Sequence, residues 1–155
     1  LDSAPMATIG DPAPDFSLID QHGDTVALAD LRGHRTLVFF YPKANTPGCT
    51  TQACGLRDIA GEIGDVTILG ISPDTPKKQH NWDTKHSLGF PLLSDPDHTV
   101  AKAFGAWGEK KLYGKVYDGI IRSAYLIDAD GVIEQAWPKI SPKDTPTKLL
   151  AALKG

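Results

Sequence analysis

The chain has 155 residues, 41% of them hydrophobic and 23% charged, with a formal net charge of −3 at pH 7. That length suits one domain spanning 1–155 with a sizeable core, and the composition excludes a disordered, collagenous or coiled-coil chain. Mild acidity without a dense run of Lys and Arg argues against a nucleic-acid partner, Lys110-Lys111 being only a pair.

The opening LDSAPMATIG lacks a basic segment followed by an apolar one, so a secretory signal is not expected there. Residues 1–15 are rich in Pro and Asp and are expected to lie over the surface. The first clear strand is Arg35 to Tyr41, RTLVFFY, which Pro42 ends. Its nearly continuous apolar run suits a central strand covered on both faces. A helix follows, with Thr46 as its cap and Pro47 in its first position, where a missing N–H costs nothing. Gly55 and Gly61 leave its end undefined.

Val66 to Ser72 forms the next apolar strand. Asp74 or Thr75 opens a helix through about Leu88. FPLLSD is a short strand, and Asp97 caps a helix through Phe104. SAYLIDADGVIEQAW reads as two strands joined by the DADG turn. Thr145-Pro146 repeats the cap-and-proline start, and Leu149, Leu150 and Leu153 give the last helix an inward apolar stripe. This order buries a mixed sheet between helical layers, and its first strand–helix–strand unit is expected to be a parallel crossover. No apolar stretch approaches the roughly 20 residues that a membrane span needs, so no membrane partner is expected.

The two cysteines, Cys49 and Cys54, are the only ones in the chain and both fall in the first helix. With Thr46 as cap, Cys49 takes the third helical position. First-turn N–H groups and the positive end of the helix dipole favour an ionised sulfur there. A thiolate attacks peroxides, disulfides and acyl groups alike. On one ideal helix the two Cα atoms stand roughly 8–9 Å apart, beyond the ~6.8 Å that a disulfide spans. A Cys49–Cys54 bond therefore requires local unwinding. A structural disulfide, two unrelated buried thiols and a metal site remain alternatives. The metal reading lacks a CxxC knuckle and four ligands. His22, His34, His80, His86 and His98 supply no i,i+4 ligand pair.

FYPKANTPGCTTQACGLRD resembles the active-site segment of the peroxiredoxins, particularly their bacterioferritin-comigratory or Q-type branch, and WGEKKLYGKVYDGIIRSAYLID resembles the same branch downstream. PAPDFSL, LRG, ILGIS and LLSD stand in the family's usual order, so the likeness runs from about Ile9 to the final helix. It implies an α/β, thioredoxin-like fold: a mixed central sheet flanked by helices, with peroxiredoxin-type additions. It implies reduction of hydrogen peroxide and organic hydroperoxides, with Cys49 as peroxidatic and Cys54 as resolving cysteine. An intramolecular disulfide would then be regenerated by thioredoxin or a similar dithiol. By the same resemblance a monomer is expected; the absence of a secretory signal and the low cysteine count make a cytoplasmic chain the expectation, and with the chemistry carried by sulfur no cofactor (metal, haem, flavin or nicotinamide) is expected.

The resemblance gives the Thr46 hydroxyl a role in orienting the thiolate or the peroxide. It gives the Arg122 guanidinium a role in favouring the Cys49 thiolate and holding peroxide oxygens. Pro42 would restrict the pocket and shield Cys49, and Gly48 would permit close packing beside the sulfur. Gln52 and Ala44 stand where this branch commonly has acidic residues. Gln52 thereby removes a charge near the pocket, whereas Ala44 is expected to have little direct effect. Trp82, Trp107 and Trp137 are read as packing residues, with a docking surface or an organic-peroxide pocket as the alternative. A general thiol–disulfide oxidoreductase and a peroxide sensor are the competing functions.

Overall fold

The computed structural model describes residues 7–154; residues 1–6, the start of the N-terminal stretch read above as a surface segment, lie outside them. In chain order the elements are β1 (Ser17–Ile19), β2 (Thr25–Ala27), β3 (Arg35–Phe40), α1 (Pro47–Ile59), β4 (Val66–Ser72), α2 (Pro76–His86), β5 (Leu92–Ser94), α3 (Thr99–Phe104), β6 (Trp107–Leu112), β7 (Lys115–Ile120), β8 (Ser123–Ile127), β9 (Ile133–Trp137) and α4 (Asp144–Lys154). A seven-stranded sheet runs β2-β1-β5-β4-β3-β8-β9, with β6 and β7 paired as a separate ribbon. Strand β3 pairs parallel with β4 and antiparallel with β8, so the sheet is mixed.

The apolar run of β3 is central because both its faces are covered. Leu37 and Phe39 join Tyr41 in a core with Ala53, Leu56, Trp82 and Leu149. Val38 and Phe40 point the other way, into a core on the far side of the sheet with Ile71, Leu93, Phe104 and Tyr125. Strand β8 alternates likewise, Ala124 and Leu126 to the first core, Tyr125 and Ile127 to the second. This two-residue alternation is the pleat itself. Cys49 belongs to the first core, on the α1 side.

Gly70, in β4, is where the sheet leaves no room for a side chain. An added Cβ would lie 2.9 Å from Phe39 Cζ, 3.0 Å from Tyr41 Cε1 and 3.1 Å from Leu92 Cδ2. Gly70→Ala is expected to destabilise the fold by about 1–3 kcal/mol through overpacking. A lower denaturation midpoint at unchanged slope in urea checks this.

Several expectations need correction. Strands β1, β2, β6 and β7 were not anticipated. The residue preceding α3 is His98, at φ 60°, not Asp97; the Asp95 carboxylate instead accepts from the Val100 and Ala101 amides. Helix α4 begins at Asp144, so Thr145 lies inside it rather than capping it. The Asp144 amide donates to Ser141 Oγ at 3.2 Å, which supplies the cap one turn earlier. Thr75 does cap α2, accepting from the Lys78 amide. No helix among the described residues is long and apolar enough to cross a membrane.

Candidate active site

Helix α1 starts where expected, with Thr46 preceding it and Pro47 in its first turn. Cys49 therefore occupies the third position, beneath the open end of the helix. It is 1% exposed. Thr46 holds the capping position without a capping bond; its hydroxyl donates to the Lys43 carbonyl at 2.8 Å. That bond folds the loop between β3 and α1 tightly beneath the first turn. The Ala44 amide donates to the Asp74 carboxylate at 2.7 Å and fixes the same loop from the β4 side.

Arg122 enters from between β7 and β8. Strand β8 lies antiparallel beside β3, with Ser123 opposite Phe40. The residue just before β8 thus meets the loop just after β3, which explains how 73 positions of sequence separation close to a contact. Arg122 Nη2 lies 3.3 Å from Cys49 Sγ and Nη1 donates to Gln52 Oε1 at 2.7 Å. Gly48 lies beside it: a Cβ there would stand in ordinary contact, 3.4 Å from Arg122 Nη2 and 3.6 Å from Pro142 Cγ.

Pro42 and Arg122 line an open cleft of about 500 Å³ with Lys110, Lys111, Lys139 and Ile140 among its walls. The cleft is cationic. Burial, reinforced by the Arg122 charge, pulls the Lys110 ammonium below the usual lysine range. Among the described residues Arg122 makes no ion pair. A neutral Gln52 in place of a carboxylate leaves its charge available to the sulfur.

Cys54 is half-buried against the first core, further along α1, and both thiols are free. The fold therefore brings Cys49, Arg122, Gly48 and Pro42 to one locus, while the helix holds Cys54 apart. Sequence reasoning placed Gln52 near the pocket but missed its bond to Arg122, and missed Thr145 behind it. Gln52 lies three positions after Cys49, hence on the same helix face; that spacing was available as a signal. Thr145, which receives the Gln52 amide N–H at 2.9 Å from 93 positions away, had none. Beneath the site the buried Tyr41 phenol donates to Gln79 Oε1 at 2.6 Å. Burial pushes its ionisation far upward, so it remains a donor.

The family model described as the AhpC/TSA family matches residues 9–136. The chain belongs to that family, the peroxiredoxins. Its sequence is 57% identical over 130 residues to peroxiredoxin Bcp of Escherichia coli (strain K12), covering 83% of each chain. It is 45% identical over 148 residues to peroxiredoxin Bcp of Bacillus subtilis (strain 168), covering 94% of each. Among solved structures, the bacterioferritin comigratory protein of Xanthomonas campestris superposes with a TM-score of 0.86 at 34% identity, over 97% of this chain and 98% of that one. Peroxidoxin BcpB of Mycobacterium tuberculosis does so with a TM-score of 0.82 at 35% identity, over 96% and 97%. This peroxiredoxin thus falls in the Bcp or peroxiredoxin Q branch, has its thioredoxin-like fold, and is a peroxidase among the oxidoreductases.

Proposed function

We propose that the enzyme reduces hydrogen peroxide and organic hydroperoxides through a sulfenic acid on Cys49, which Cys54 resolves. The observation that carries this reading is the Arg122 guanidinium 3.3 Å from the Cys49 sulfur. The positive fork stabilises a thiolate and, as the O–O bond breaks, the charge developing on the departing oxygen. The thiolate attacks the terminal oxygen of ROOH, forming S–O and breaking O–O. The RO⁻ released takes a proton and leaves as alcohol, or as water when R is hydrogen. Thr46 has committed its proton to Lys43, so its oxygen lone pairs can accept the peroxide O–H. Pro42 borders the cleft beside Arg122. An alkyl substituent would lie along the Ile121 and Ile140 walls, in keeping with the alkyl peroxide reduction named for the Xanthomonas campestris relative.

The Cys54 thiolate then attacks the Cys49 sulfur. An S–S bond forms, S–O breaks, and the hydroxide that leaves takes a proton to become water. Thioredoxin or a similar dithiol reduces the disulfide, which fits a monomer working in the cytoplasm. A general protein disulfide reductase is disfavoured, because a sulfur in a residue 1% exposed cannot reach a partner's disulfide without opening of the helix start.

Mixing the reduced enzyme with one equivalent of hydrogen peroxide tests this. Peroxide loss is followed alongside intact mass, and wild type should lose two hydrogens while gaining no oxygen. Cys54→Ser should keep the first turnover within about threefold of wild type but lose about two orders of magnitude in thioredoxin-linked turnover. It should accumulate the Cys49 sulfenic acid and, with excess peroxide, the sulfinic acid. A slow first turnover in wild type would overturn the peroxidase mechanism.

A further inference from the structure

Gln52 is fully buried, and both polar atoms of its amide have a defined partner. Its carbonyl accepts from Arg122 Nη1 at 2.7 Å, and its N–H donates to Thr145 Oγ1 at 2.9 Å. The Thr145 hydroxyl commits its one proton to the Ser141 carbonyl at 3.0 Å. A hydroxyl so committed can only accept from Gln52. Arg122, which can only donate, and Thr145, which here can only accept, therefore agree on which way round the amide sits and hold it from both ends.

Gln52 also lies between the two cysteines. Within α1 their Cα atoms stand roughly 8–9 Å apart, against the ~6.8 Å limit of a disulfide. Forming the bond requires residues 50–53 to leave the helix. Hydrogen bonds of 2.7 and 2.9 Å from Gln52 do not survive such a displacement. The first turn of α4 grips the same stretch a second time, on the other side of Cys54. There Pro146 Cγ lies 2.7 Å from where a Gly55 Cβ would be, so helix and proline are in close contact.

We propose that Thr145 is a positioning residue and latch: through Gln52 it holds Arg122 on the sulfur in the dithiol state, and it lets go when the disulfide forms. This rests on the two-cysteine reading above. A contact present in only one of two states shifts their equilibrium toward that state by its full strength. The latch thus favours the dithiol form and slows the unwinding that resolution needs, leaving the sulfenic acid exposed longer to a second peroxide.

The test compares wild type, Thr145→Val and Thr145→Ser in dithiothreitol redox buffers. There the Cys49–Cys54 disulfide takes two electrons and two protons from the dithiol, which closes to its own cyclic disulfide. Valine matches threonine in shape and lacks the hydroxyl. It is expected to shift the equilibrium about tenfold toward the protein disulfide, a potential about 30 mV more negative. Serine should restore it to within about twofold. With peroxide, Thr145→Val should oxidise Cys49 more slowly, yet convert the sulfenic acid to the disulfide faster and yield less sulfinic acid per turnover. Melting of each redox form separates a latch from plain packing: the variant should lower the midpoint of the reduced enzyme and spare the oxidised one. Equal losses in both forms, or an unchanged potential, would overturn the proposal. Failure of the wild type to form any Cys49–Cys54 disulfide would instead overturn the two-cysteine reading on which it stands.

Discussion

Cys49→Ser is expected to abolish rapid peroxide consumption, lowering the rate by at least about a thousandfold, as loss of a nucleophile does elsewhere. The replacement changes one atom. The serine hydroxyl stays protonated at neutral pH, is a weak nucleophile, and cannot cycle through an oxidised oxygen equivalent of a sulfenic acid. The fold should tolerate it. The site is apolar on the side of Ala53 and Leu56, but Arg122 remains 3.3 Å away as a donor for the new oxygen. Loss of activity with an unchanged melting midpoint would therefore be a chemical effect. Peroxide disappearance under single-turnover conditions, with intact mass read in parallel, is the measurement. Oxidation of Cys54 at the wild-type rate in this variant would assign the nucleophile to the wrong sulfur.

Arg122→Met should reduce kcat/KM for hydrogen peroxide by about 100–1,000-fold, the loss that accompanies removal of one preorganised donor to a developing oxyanion. Methionine keeps much of the stem and removes the fork. The variant loses the positive charge beside Cys49 and also strands Gln52 Oε1 in a fully buried position. Arg122→Lys keeps the charge but cannot span both Cys49 and Gln52, and should recover only part of the rate. Single-turnover rates at one fixed pH measure both losses, and a wild-type rate in Arg122→Met would leave the arginine no role at the sulfur.

The helix start that carries Cys49 was legible because three signals agreed. A continuous apolar strand ran into Pro42, Thr46-Pro47 marked the helix start, and a cysteine followed at a fixed offset. Arg122 was legible only through resemblance, since nothing local says that β8 will lie beside β3. The strands that escaped notice failed for physical reasons. Strands β1 and β2 are three residues each, too short to establish a period. The β6–β7 ribbon is largely exposed, so burial imposes no apolar alternation on it. Its only mark was Tyr113-Gly114, both at positive φ, the backbone that a two-residue hairpin turn requires. Thr145 was misread because its sequence pattern is that of a cap, while a hydrogen bond to Gln52 across the fold gives it another partner.

The chain of hydrogen bonds from Arg122 through Gln52 to Thr145 in α4 has a consequence for biosynthesis. Thr145 leaves the ribosome after Cys49 by roughly a hundred residues, which at ~5–20 residues per second is about 5–20 s. Throughout that interval the nascent chain carries a cysteine without its completed electrostatic setting. Chemical reactivity would thus be the last property the polypeptide acquires, switched on by the closing helix only once the sheet behind it is in place.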